Sequence, residues 1–162
     1  MSNGPLPSER CLLSTLCNKQ IGDKVRFLGC IQGAFARPTC NDEARGPTSR
    51  VVAVTGYSAH HARVTLKHSY PKENSHVEAL VDVKLLLETL KAEQTDPGQW
   101  VHVIGYLTFV DPASPATAAD SRHSSTSTTA TTTRVGVQAL FLWIARGLDL
   151  GTYEKSMLAT AN

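Results

Sequence analysis

Six histidines and four cysteines are the side chains here with the widest chemical reach, and their spacing decides what they could do. Cys11, Cys17, Cys30 and Cys40 include no C-x-x-C pair and have no histidine at zinc-finger distance, so spacing argues against a metal site. Cys30 falls in a strand-like run, where a free cysteine acts as a small hydrophobe. His60-His61 sit in a turn and His102 in a strand, and neither belongs to an H-E-x-x-H motif or a nucleophile elbow. The chain also lacks a Walker-type glycine loop and a dinucleotide fingerprint. Asp82 and Glu88 suit a helix entry and a solvated helix face better than paired acid–base work. The expectation is a protein that is not an enzyme and needs no cofactor or metal.

Nucleic-acid binding requires cations and aromatic rings on one surface. Arg26, Arg63 and Lys67 fall at outward positions of their runs, with Tyr57 and Tyr106 as rings on which a base could stack. The alternative is that these are solvated cations and tyrosines at the edge of the core. Sixteen Lys plus Arg against fourteen Asp plus Glu leave a formal charge of +2, which lacks the basic excess of a strong polyanion binder. Any contact with nucleic acid must come from a local patch or be shared with partners.

These side chains are carried on short alternating runs. Gly22-Asp23 signals a turn ahead of Lys24–Ile31, where Val25, Phe27 and Ile31 alternate with Lys24 and Arg26. Gly29 interrupts that row, as at a bulge or a sharp barrel bend. Residues 32–50 hold no apolar period and read as an insertion. The runs 51–57 and 63–68 form a hairpin, with Val64 and Leu66 inward. Ala79–Val83 gives a third strand. It leads into a helix in which Val83, Leu86, Leu87 and Leu90 share a face and Asp82 stands at the N-terminus. Asp96-Pro97-Gly98 turns the chain into a fourth strand, Trp100–Val110. Residues 111–133, rich in Ser, Thr and Ala, have few large apolar groups and read as a second insertion in a mobile loop. Val135–Ile144 is the fifth strand. After Gly147, Asp149 caps a C-terminal helix with Leu150, Tyr153 and Met157 on one side.

Five strands with a helix between the third and fourth make an all-β protein of OB-fold type, a partly open Greek-key barrel. An SH3-like barrel competes, but it does not supply the leucine-rich helix. The domain is expected over residues 21–162 with insertions at about 32–50 and 111–133, behind a lead-in of residues 1–20 that reads as either a short helix or a short strand. Alternation places Val135, Val137, Phe141 and Trp143 on one side of the last strand, with Leu140, Leu142 and Ile144 on the other. A small barrel has one interior, so the second apolar side must be covered by this chain's own helix or by another protein.

No apolar run approaches the ~20 residues of a membrane-spanning helix. Met1–Arg10 lacks the basic and apolar regions of a secretory signal. A reducing compartment with free thiols is expected.

Longer words carry a family likeness. Lys24–Cys30, Leu66–Pro71, Ala79–Val83 with Leu85–Glu88, Gly98–Tyr106, Val137–Leu140 with Trp143, and Leu150 with Tyr153-Glu154 occur in the order seen in the fungal Ten subunit of the CST telomere-capping complex. The chain resembles that family over most of Lys24–Leu158, apart from the two insertions. The resemblance implies a small OB-fold subunit, similar to the smallest subunit of replication protein A, that forms a heterodimer with a Stn-type OB-fold subunit and joins the large CST subunit. It implies docking through Leu150, Tyr153, Met157 and Leu158 of the terminal helix and through Leu142 of the last strand. It further implies work in the nucleus at telomeres, in end protection and in fill-in synthesis with polymerase alpha–primase. Contact of this subunit with telomeric single-stranded DNA would be weak or shared, and no membrane is involved.

Overall fold

The computed structural model describes residues 7–32, 57–71, 76–112 and 132–160. Within them the chain runs β1 (Glu9–Arg10), a 3-10 turn at Leu13–Asn18, β2 (Lys24–Ile31), β3 (Tyr57–Ser58) and β4 (Arg63–Lys67). It continues through β5 (Val77–Asp82), 3-10 turns at Lys84–Leu86 and Ala92–Gln94, β6 (Trp100–Asp111), β7 (Thr133–Ile144) and α1 (Leu150–Thr160). Most of both insertions and the strand residues Val51–Val54 lie outside the described residues.

The sheet order is β1-β2-β6-β7-β5-β4-β3, and β2 also pairs with β4, so β2, β4, β5, β6 and β7 close into a five-stranded barrel. The parallel pairing of β5 with β7, against antiparallel neighbours elsewhere in the barrel, is the Greek-key order expected for an OB-fold. Alternation drives it. Val25, Phe27 and Ile31 of β2, Val64 and Leu66 of β4, Val77, Ala79 and Val81 of β5, and Val101 and Val103 of β6 are all buried in one core. Leu13 and Leu16 join that core from the first 3-10 turn, so the lead-in holds both a two-residue strand parallel to β2 and a turn that fills the barrel interior.

Three expectations change. Gly29 marks no bulge: β2 pairs with β6 in continuous register from Lys24 to Cys30. A Cβ there would lie 2.9 Å from Leu66 Cβ and 3.0 Å from Leu13 Cδ1, so the missing side chain is what lets those leucines approach. The helix expected over Val83–Leu90 is reduced to a 3-10 turn closed by hydrogen bonds from the Leu86, Thr89 and Leu90 amides. Val83 is buried and Leu86 and Leu90 pack on the core as the apolar period requires, but Leu85 and Leu87 face solvent. An eight-residue amphipathic stretch is too short to hold α geometry by itself, so the connection it must make to β6 decides its form. Asp82 still caps the turn, its Oδ1 accepting from the Lys84 amide at 2.9 Å.

The third change concerns β7. The pairs Ile104↔Phe141 and Gly105↔Ala139 leave Leu140 as an extra residue on β7. This bulge reverses the alternation midway. Val135, Val137 and Ala139 face the core, and after the bulge Leu142 does so instead of Phe141. Phe141 is 62% exposed and Trp143 is half-buried on the outside. A second irregularity, between Leu107 and Phe109, lays the Phe109 ring over Gly136.

The terminal helix is capped as its sequence indicates. Asp149 Oδ1 accepts from the amides of Gly151 (3.1 Å) and Thr152 (3.3 Å), and Oδ2 accepts from the Thr152 hydroxyl at 2.7 Å. The Thr152 hydroxyl and amide, then the Gly151 amide, pull the Asp149 carboxyl below its ordinary value. A depressed folded pKa means the cap contributes fully at neutral pH, and the contribution is lost as the pH falls from the unfolded-state value through the folded one. Asp149→Ala is expected to speed amide exchange over α1 at neutral pH, with the difference from the parent protein shrinking in acid. Equal exchange at neutral pH would show that the cap does not hold the helix.

Candidate functional site

Two sectors of the barrel wall carry the residues singled out for function. On β4 and β5 the outward side chains are Arg63, Thr65 and Lys67 against Asp82, Leu80 and Glu78 in register. Three of the four cations on and beside these strands meet a carboxylate. Lys67 Nζ lies 3.2 Å and Arg134 Nε 3.6 Å from Glu78, while Lys84 Nζ lies 3.8 Å from Asp82. Arg63 is exposed opposite Asp82, and Tyr57 on β3 is half-buried against the core. Strong attraction for a phosphate backbone needs unmatched positive charge, and in this sector Arg63, which forms no ion pair among the described residues, is the cation left to supply it.

The second sector is the outer side of β2, β6 and β7. Register places Arg26, Ile104 and Phe141 in one row and Leu28, His102 and Trp143 in the next, with Lys24, Tyr106 and Gln138 beyond. The Arg26 guanidinium stands 5.4 Å from the centre of the Trp143 ring. His102 stacks on the same indole at 5.2 Å and 27°. Burial, with the positive charges of Arg26 and then Arg10, lowers the His102 pKa below the ordinary value. Among the described residues, neither Arg10 nor Arg26 forms an ion pair.

Helix α1 closes this sector on one side. Tyr153 meets His102 edge-on at 6.1 Å and brings its hydroxyl to the Leu28 backbone, which explains why outward-pointing Leu28 has no exposed surface. Burial is the main reason the Tyr153 hydroxyl is a weaker acid than usual. Met157 is buried and Leu150 half-buried, while Leu158 on the far side is 47% exposed. A groove of about 280 Å³ runs beside Trp143, lined by Lys91, Gln94, Ile144 and Arg146 among others.

The five residues expected to meet nucleic acid therefore divide: Arg26 and Tyr106 stand in the β2–β6 sector, and Tyr57, Arg63 and Lys67 on the β3–β4 hairpin. The five expected to meet a partner divide by burial. Leu142, at 8% exposure, and Met157 are held inside this chain, Leu150 and Tyr153 are half-buried on α1, and Leu158 is open. Phe141 and Trp143 were missed as surface residues because the run Ala139–Ile144 is apolar throughout and gives no sign of the bulge. Glu78 was missed because its two cations come from different strands. Cys11, Cys17 and Cys30 are free thiols, burial raising Cys11 to about 12; Cys40 lies outside the described residues.

A family model described as Ten1, a telomere-capping CST complex subunit, matches residues 1–158. The crystal structure of the S. pombe Stn1–Ten1 complex is similar with a TM-score of 0.55 at 14% identity, covering 98% of this chain and 95% of that one. The crystal structure of the telomere capping protein Ten1 from S. pombe is similar with a TM-score of 0.52 at 14% identity, covering 96% of this chain and 98% of that one. At such identity these structures share the fold. A comparison with curated proteins gave no match.

Proposed function

The chain belongs to the Ten1 family of telomere-capping CST complex subunits, and from that premise we propose that it works by docking on a Stn-type subunit through α1 and the outer side of β6 and β7. The exposed Phe141 carries this reading. A phenylalanine at 62% exposure, beside a Trp–Arg–His stack and within the sector bounded by α1, is a surface that a partner would cover. The S. pombe relative of the same fold is seen in complex with Stn1, which supports the choice of partner. In this reading the protein acts at telomeres in the nucleus, beside the large CST subunit, in end protection and in fill-in synthesis that engages polymerase alpha–primase. It is a complex subunit rather than a catalyst.

Its own contact with telomeric single-stranded DNA is auxiliary, because Lys67, Lys84 and Arg134 are already paired with Glu78 and Asp82, which leaves Arg63 as the cation of that sector without an ion pair among the described residues. Arg63 and Lys67 with Tyr57, and Arg26 with Tyr106, are the residues that would contribute to it. Co-expression with a Stn-type subunit followed by size exclusion is expected to yield a stable heterodimer. A salt titration of the isolated chain with a telomeric oligonucleotide is expected to show weak binding and a shallow slope, at roughly −0.7 in log–log terms per phosphate neutralised. Tight, steeply salt-dependent binding by the chain alone, without heterodimer formation, would replace docking with an autonomous DNA-binding function.

A further inference from the structure

His68 follows the last residue of β4, beside the seam where β2 and β4 close the barrel through Cys30↔Lys67 and Ile31↔Leu66. It is 4% exposed, an unusual setting for an imidazole. Its Nε2 donates to Glu154 Oε1 of α1 at 2.9 Å, a bond that joins residues 86 apart in sequence. The Trp100 ring meets it edge-on at 5.2 Å and the Tyr70 ring stacks at 6.1 Å, so aromatic walls hold it from β6 and from its own strand's continuation. Among the described residues Nδ1 has no hydrogen-bond partner, which leaves Glu154 as the polar contact that orients the ring. The function reading uses neither residue.

We infer that His68 is a positioning residue for partner docking: through Glu154 it fixes α1 against the barrel seam and so sets affinity for the partner without touching it. This rests on the reading that α1 forms part of the docking surface. Met157 supplies apolar contact, which is not directional, and the Tyr153 hydroxyl reaches the Leu28 backbone on the β2 side. The buried hydrogen bond from His68 to the Glu154 carboxylate is a second directional tie, at the barrel seam, and two such ties fix the helix azimuth and place Leu158. If α1 leaves its seat, the competent fraction falls and the apparent affinity falls by the same factor.

The test measures three quantities on the full chain: affinity for a Stn-type subunit, amide exchange over α1, and thermal unfolding of the barrel. Glu154→Ala, a partly exposed helix position, is expected to weaken binding about tenfold and to speed exchange over Leu150–Thr160, while core amides of β2 and β6 stay protected. His68→Ala should match it, and the double variant should be no worse than either alone, since both remove one bond. His68→Gln, whose amide nitrogen reaches the place of Nε2, should restore affinity and protection. Parent-like affinity in Glu154→Ala, alongside a Phe141→Asp variant that fails to bind, would overturn the clasp and leave docking standing. Weakened binding in Glu154→Ala without faster exchange over α1 would also overturn it, because Glu154 would then touch the partner directly. Normal binding by Phe141→Asp would remove the docking reading itself.

Discussion

Gly105→Ala is expected to destabilise the barrel by about 3 kcal/mol or more, beyond the usual 1–3 kcal/mol of an overpacked core, because the added methyl meets backbone. A Cβ on Gly105 would lie 2.3 Å from the Gln138 carbonyl oxygen and 2.9 Å from its carbon, with Val137 Cγ1 at 2.8 Å. Real Cβ atoms do not approach so closely, and a carbonyl in a ladder cannot rotate away as a side chain would. Relief requires β6 and β7 to part beside the Leu140 bulge, in a pairing that runs from Val101 to Asp111. A loss of that size lowers the unfolding midpoint by roughly 10 °C at 2–4 °C per kcal/mol, readable by calorimetry. Gly151→Ala is the control. Its nearest neighbour would be Asp149 Oδ1 at 3.6 Å, and alanine in a helix is favoured over glycine by about 0.5–1 kcal/mol. A Gly105→Ala protein as stable as its parent would mean that the two strands do not pair in this register.

Phe141→Asp is expected to abolish co-purification with the Stn-type subunit while the isolated barrel keeps its stability within ~0.5 kcal/mol, as surface substitutions do. Anchoring aromatics at interface centres contribute ~2–4 kcal/mol each, which corresponds to roughly 30- to 1000-fold in affinity. Leu142→Ala should behave in the opposite way. Leu142 is 8% exposed and part of the core, so its truncation removes about 2–5 kcal/mol of stability, with any loss of binding following from unfolding. The two variants together test the phase of β7. Unbroken alternation from Val135 would bury Phe141 and expose Leu142, and would exchange the two outcomes. Titration calorimetry with the partner and denaturant unfolding of the free chain separate the cases.

The outer sector of β2, β6 and β7 also accounts for the low affinity expected for DNA. Its indole already stacks with His102 and carries the Arg26 guanidinium 5.4 Å from its centre. A ring so engaged is less available to a nucleotide base, whereas exposed Phe141 and Leu158 offer apolar area to a protein. The sequence paired Arg26, Arg63 and Lys67 with Tyr57 and Tyr106 as a nucleic-acid surface, whereas the ring that Arg26 meets is Trp143.

Local order was legible in the residues because its causes are local. Period-two alternation in Lys24–Ile31 and Arg63–Lys67 stated that Val25, Phe27, Ile31, Val64 and Leu66 face inward, and all five are buried. Gly22 and Gly98 occupy turns at positive φ, and Asp149 caps α1 through its own neighbours. From strand order alone the five-stranded barrel followed. The tertiary structure alone decided the rest. Where both neighbouring residues are apolar, a one-residue bulge leaves no mark, so Leu140 reversed the last strand unannounced and exchanged Phe141 for Leu142 in the core. The helix after Asp82 shrank to a turn because eight residues cannot sustain α geometry against the demands of the connection. Lys67 and Arg134 converge on Glu78 from separate strands, and His68 finds Glu154 only once the barrel has closed and α1 has folded back on it. Pairings of that kind depend on distances that no spacing along the chain encodes.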